Sequence, residues 1–212
     1  MNPSSIPRIK FKDYSREQLI EIASEQLKTF FPDIIVPRTP LIKPNASPIE
    51  ADWRSDFSNR AYSEIRSNAD SAPRIRELFK DQIVVDLGAG GSDSKGGLIA
   101  QLCGARAYIA VELHNYEWGG PSFYGENKIL VPLDMKSFVA ALPDQSVSFI
   151  MLGVGSEITS SRPHASEIFR TLHTKGFLMV DSASDFDAAA DTRLQRDPDI
   201  LSFPHIYQRS CK

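Results

Sequence analysis

The sequence predicts an α/β fold: a doubly wound, mostly parallel sheet with helices on both faces, preceded by a helical and extended N-terminal segment. Three observations carry this expectation. From residue 83 onward short apolar runs recur, each of strand length and with few polar residues alternating in it. Such runs suit strands buried on both faces, as in a parallel sheet. Stretches of helical pattern separate most of them, which is the order of a sheet wrapped by helices. The first run, Ile83-Val84-Val85-Asp86-Leu87, passes straight into Gly88-Ala89-Gly90-Gly91. A glycine turn there lies at the carboxyl end of a strand, where open α/β sheets bind their ligands.

Each element has its own signal. Ser15 to Phe31 reads as an amphipathic helix with Ser15 as N-cap and an apolar stripe of Leu19, Ile20, Ile22, Ala23, Leu27 and Phe30. Pro32 ends it, and Pro37, Pro40, Pro44 and Pro48 make the next stretch an extended strap without ladder hydrogen bonds. Residues 58–79 read as helix, interrupted near Ser71-Ala72-Pro73. Strands are expected at 83–86, 107–112, 128–132, 147–152 and 177–180, with helices at 97–103, 136–141 and 165–173. A terminal hairpin is expected from 200–203 and 205–208 around Pro204. The natural division is an N-terminal helix and strap over residues 1–57, expected to lid the site on the substrate side, and a ligand-binding domain over 58–212.

Bulk composition narrows the function. A chain of 212 residues with 42% hydrophobic and 24% charged residues fits one globular domain with an extension. The net charge of −3 gives no global nucleic-acid footprint. No apolar run has the length of a membrane helix, and the N-terminus has no signal-like apolar core. Cys103 and Cys211 are isolated, so neither a disulfide framework nor a metal site is expected, and a cytoplasmic location is. Cys103 reads as a small core residue on a helix.

The chemistry sits at successive strand ends. Glycine at 88 and 90 allows positive φ and close backbone approach to a ligand. Asp86 beside that turn repels a diphosphate but can accept hydrogen bonds or pair with an ammonium group. A hydride-transfer fingerprint needs a third glycine at the position of Asp93, and a phosphate loop needs Gly-Lys-Ser/Thr; neither is present. Glu112, after the second strand, can grip both ribose hydroxyls. Asp134, after the third, can accept from an adenine amine, with Met135 as a soft apolar contact. Together these acids describe a slot for a cationic, adenine-bearing nucleoside without phosphate.

These pieces resemble the class I S-adenosylmethionine-dependent methyltransferases. The matching motifs are Val85-Asp86-Leu87-Gly88-Ala89-Gly90, Val111-Glu112-Leu113 and Leu133-Asp134-Met135. Val147-Ser148-Phe149-Ile150-Met151-Leu152 and the turn Leu172-His173-Thr174-Lys175-Gly176-Phe177 complete the series over roughly 58–182. The resemblance implies a Rossmann-like sheet of the methyltransferase type and S-adenosyl-L-methionine as cofactor. It places Asp86, Gly88, Ala89 and Gly90 near the methionine moiety, and Glu112 and Leu113 at the ribose. Asp134 and Met135 would then meet the adenine, with Gly153 beside the sulfonium. The family's third glycine position is Ser92 here, and Ser92-Asp93-Ser94-Lys95-Gly96 reads as a longer loop before its helix.

After the fourth strand the chain reads Leu152-Gly153-Val154-Gly155-Ser156-Glu157 in place of the Asn/Asp-Pro-Pro-aromatic of amino-directed nucleic-acid and glutamine methyltransferases. The acceptor is therefore expected to be a small molecule or an unassigned protein, and a small molecule sooner than nucleic acid. Glu157 and His164 are the nearest candidate bases, each with a competing helix-capping or structural role. Arg60 reads as a solvated helix face, and His173 and His205 as structural. A non-catalytic module that keeps the fold is the alternative function, and a nicotinamide-dependent oxidoreductase is disfavoured by Asp86. The methyl acceptor and the oligomeric state are not encoded in any recognisable motif.

Overall fold

The apolar runs pair into a seven-stranded sheet of order β3-β2-β1-β4-β5-β7-β6. The computed structural model describes residues 14–38, 59–67, 72–89, 95–113, 127–152, 162–181, 194–200 and 204–209. The parallel strands are β1 (Ile83–Leu87), β2 (Ala107–Val111), β3 (Lys128–Val131), β4 (Ser148–Met151) and β5 (Phe177–Val180). β1, β2, β4 and β5 are buried at every position, which is why they carry no polar alternation. The strand order reverses between β1 and β4, which opens a crevice at the carboxyl ends of these two strands.

Alternate residues along each strand feed two separate cores. Val85, Leu87, Ile109, Val111, Phe149 and Met151 lie in one cluster; Val84, Tyr108, Ala110, Ile150 and Met179 lie in the other. The first is covered by α1 (Arg16–Leu27), α5 (Met135–Ala141) and α6 (Arg162–Thr171), through residues such as Ala23, Leu27, Phe138 and Ile168. The second is covered by α2 (59–67), α3 (Ala72–Phe79) and α4 (Gly96–Leu102), through Ile65, Phe79 and Ile99. A sheet wrapped on both faces is the fold class that the sequence predicts.

Local signals explain the helix limits. Ser15 Oγ accepts from the Gln18 N–H, and Gln18 Oε1 accepts from the Ser15 N–H, so α1 opens on a reciprocal capping box. Its residue Leu19 joins the second core while Ile20, Ala23 and Leu27 join the first. The helix therefore straddles β3, the strand at the sheet's edge, and shields it. Pro73 is the second residue of α3, where its missing N–H costs no helical bond. Arg170 of α6 donates to the carbonyls of Ala140 and Leu142, satisfying the end of α5, and also pairs with Asp144 and Glu167. Of the proline strap from Pro37 to Pro48, the residues from 39 onward lie outside the described residues. No helix among the described residues is long and apolar enough to cross a membrane.

The terminal hairpin differs from the sequence expectation. Its first strand is β6 (Leu194–Arg196), which pairs antiparallel with β7 (His205–Arg209), itself antiparallel to β5; of the expected strand 200–203, only Ile200 is among the described residues. Asp197 explains the shift. Its carboxylate accepts from the Asp199 N–H at 3.0 Å and from Arg74 Nε at 3.1 Å, and Gln208 Nε2 also donates to it. This side-chain turn over Asp197-Pro198-Asp199 bends the chain before residue 200. Ile200 is fully buried in the second core without being in a strand, so its apolarity marks packing, not pairing.

Candidate functional site

At the end of β1 the chain must turn sharply toward α4. Gly88 has φ 66, a conformation that costs any residue with a Cβ, and so glycine stands there. The N–H groups of Gly88 and Ala89 both donate to Val111 O, at 2.9 and 3.2 Å. The turn is thus tied to the end of β2. Gly90 lies outside the described residues.

Asp86, the fourth residue of β1, is 3% exposed. Tyr108 of β2 donates its hydroxyl to Asp86 Oδ2 at 2.6 Å. Gly96, the first residue of α4, covers the same oxygen: a Cβ there would lie 1.9 Å from Oδ2 and 3.0 Å from the Tyr108 hydroxyl. Only glycine lets the helix start so close to the carboxylate. This accounts for the missing third glycine. The loop is longer by several residues, and the close-packing glycine is Gly96.

Glu112 follows β2 and is 7% exposed, and its N–H donates to Val131 O at 3.1 Å. Leu113 next to it is half-buried. Asp134 is the N-cap of α5, with Oδ1 accepting from the Ser137 N–H at 2.9 Å. A carboxylate has further acceptor sites, so the cap is compatible with a ligand donor at the same side chain. Met135, the first residue of α5, packs partly buried against the first core. Since β3, β2 and β1 are neighbours, Asp134, Glu112 and Asp86 stand side by side along the carboxyl edge of the sheet. The fold brings these sequence-predicted residues together.

Other candidates fall elsewhere. Gly153 and Glu157 lie outside the described residues. His164 is in the first turn of α6, and its side chain also lies outside them. His173 accepts at Nδ1 from the Lys175 N–H in the turn before β5, at the opposite edge from the acids. Cys103 is buried, which pushes its thiol up to about 11 against the pull of Arg76. It is a core residue and a poor nucleophile. Among the described residues no group of His, Cys, Asp and Glu is arranged to hold a metal ion.

Sequence reasoning missed Tyr108, Gly96 and Arg16. Tyr108 is an aromatic hydroxyl inside an otherwise aliphatic strand, a signal that gains meaning once β1 and β2 are set in register. Gly96-Gly97 is a second glycine pair just before an apolar helix. Arg16 is 8% exposed and donates from Nε to Pro132 O at 3.0 Å, bringing a cation to the end of β3.

No family model matches the sequence, and neither does any curated protein sequence. Solved structures do match in fold. One is a protein from Methanococcus maripaludis proposed to be an S-adenosyl-L-methionine-dependent methyltransferase. It has TM-score 0.52 and 12% identity over 81% of this chain and 98% of its own. A second is a SAM-dependent methyltransferase from Aquifex aeolicus, with TM-score 0.49 and 13% identity over 77% of this chain and 96% of its own. The chain has the fold of the class I S-adenosylmethionine-dependent methyltransferases. At this identity the likeness defines the fold and leaves the chemistry to the site.

Proposed function

We propose that this chain is an S-adenosyl-L-methionine-dependent methyltransferase acting on a small-molecule acceptor. The observation that carries the reading is the row of acids, Asp86, Glu112 and Asp134, at three adjacent strand ends around a glycine turn with positive φ. Acids in that row fit a cationic nucleoside and oppose a diphosphate. When bound, the cofactor supplies a methyl group on a positively charged sulfur.

The chain's residues bind and orient. Glu112 accepts hydrogen bonds from the ribose hydroxyls. Asp134 accepts from the adenine amine while its other bond keeps α5 capped. Asp86, fixed by Tyr108, keeps the glycine turn and α4 at their close spacing and lends negative potential to the methionine end. Positioning is the main source of acceleration for an in-line transfer of this kind. Within the N-terminal extension, α1 lies on the β3 side of the edge through Arg16 and Pro132, next to the proposed nucleoside end of the site. A small-molecule acceptor is supported by the net charge of −3 and by the sequence Leu152-Gly153-Val154-Gly155 after β4.

Calorimetric titration with S-adenosylhomocysteine and with NAD tests the reading. Saturable binding of the first and none of the second is expected. The reading fails if S-adenosylhomocysteine does not bind at millimolar concentration. Binding with no methyl transfer across a broad acceptor panel would assign the chain to the non-catalytic alternative.

A further inference from the structure

The two acids proposed to hold the nucleoside meet at one short connection. Val131, the last residue of β3, accepts at its carbonyl from the Glu112 N–H at 3.1 Å and from the Leu133 N–H at 2.9 Å. The second of these bonds closes a three-residue turn with Pro132 at its centre, where the fixed φ of proline suits a turn of this size. Leu133 is buried in the first core, and Asp134 then caps α5. Glu112 and Asp134 are thus tied to the same turn, one through its backbone N–H and the other through the chain.

A side chain from the N-terminal helix fixes that turn. Arg16 Nε donates to the carbonyl of buried Pro132 at 3.0 Å, across 116 residues of sequence. Arg16 is the first residue of α1 and is itself buried. Both conditions are costly for arginine: a cation there meets the positive end of the helix dipole, and a buried guanidinium gives up water. Helix formation alone therefore does not select arginine at this position.

We propose that Arg16 is a positioning residue for the cofactor: by holding the Pro132 carbonyl it sets where Asp134 meets the adenine amine, and so makes the site select adenine. The proposal rests on the methyltransferase reading. Arg16 touches no reacting atom and acts through the turn. Hydrogen bonds weaken steeply as their angle departs from linear. A small swing of the turn therefore costs the amine its acceptor at Asp134, while Glu112, continuing β2, keeps its place at the ribose. Discrimination between bases then falls before overall binding does.

The test compares calorimetric binding of S-adenosylhomocysteine with that of S-inosylhomocysteine, whose base carries an oxygen where adenine carries the amine and cannot donate from that position. The wild type should prefer the first about 10-fold or more, as expected for a hydrogen bond to a charged group. Arg16→Met puts a methyl where Nε stood, and the preference should fall to about 3-fold or less. Arg16→Gln places an N–H as far along the side chain as Nε and should keep the wild-type preference. Both variants lack the rest of the guanidinium, so any other contact of Arg16 is lost in both, and the difference between them reads the Pro132 bond. Equal preference in the two folded variants overturns the proposal. If Arg16→Met does not fold, the wild type decides. Coupling is reciprocal, so by NMR the Arg16 Nε proton should exchange with solvent more slowly when saturated with S-adenosylhomocysteine than with S-inosylhomocysteine. Equal exchange overturns the proposal. The two readings fail differently. If neither compound binds the wild type at millimolar concentration, the methyltransferase reading fails and the role of Arg16 falls with it. If S-adenosylhomocysteine binds with the same preference in all three proteins, only the role of Arg16 is wrong.

Discussion

Asp86 and Asp197 are both buried carboxylates at the carboxyl ends of strands, and they are held in opposite ways. Asp86 takes a hydrogen bond from the Tyr108 hydroxyl, which adds no charge, and sits beneath a helix that only glycine lets approach. Asp197 takes the Arg74 guanidinium, the Gln208 amide and a backbone N–H, so a cation from α3 meets its charge directly. A carboxylate paired with an arginine and saturated by amides fastens one element to another. The Tyr108 hydroxyl and the start of α4 instead hold Asp86 at the end of β1, next to the glycine turn. The comparison sets a fastening at the β6–β7 end against the end of β1, where the cofactor is proposed to bind.

Substitutions that break each acid's setting should separate the two roles. Asp197→Ala removes the partner of Arg74 and of Gln208 together, and should cost about 3 kcal/mol of stability. Its urea midpoint should fall while the folded fraction binds S-adenosylhomocysteine as before; a folded variant that loses that affinity would erase the contrast. Gly96→Ala forces a methyl into the Asp86 carboxylate and should cost about 2 kcal/mol through overpacking. Here the affinity should fall with the stability, since the turn and α4 must separate to admit the Cβ. Unchanged affinity would place Asp86 with Asp197 as a fastening only.

Glu112→Ala sharpens the comparison from the ligand side. Losing charge-assisted hydrogen bonds should weaken S-adenosylhomocysteine binding by about 1–3 kcal/mol. The unfolding midpoint should move far less than in Asp197→Ala. Equal affinity by calorimetry would show that Glu112 does not touch the ribose.

The sequence makes the first half of the molecule far more legible than the second, for a physical reason. β1 to β5 are buried almost throughout, so each shows as a short, mostly apolar run, and Phe177–Val180 is found with the limits expected. The acids at 86, 112 and 134 follow directly, because a strand end is a local feature. β6 is short and has one buried and two more exposed positions, so Leu194-Gln195-Arg196 carries no strand pattern. Its hairpin is set by Asp197, whose partners lie 123 and 11 residues away. The Tyr108–Asp86 bond likewise spans 22 residues and depends on the β1–β2 register. Asp134 shows a further limit. Asp-Met-Lys-Ser is an N-cap signal as much as a ligand signal, and the structure gives the side chain the capping bond at once.

The smallest effect concerns His205, at the fastening end of the sheet. Its folded-state affinity for a proton is lowered, first by burial and then by Arg196 and Arg60, with Asp181 opposing. Between the usual histidine range and that lower value, the unfolded chain binds a proton that the folded chain does not. Stability from this group is therefore complete above the unfolded value near 6.5 and is lost as pH falls toward the folded value. Protonation at Nδ1 also expels the Arg196 donor, since two positive groups cannot share that contact. Urea midpoints measured on either side of pH 6 should decline more steeply toward acid in the wild type than in His205→Gln. Parallel declines would mean that the Arg196–His205 contact does not persist in solution.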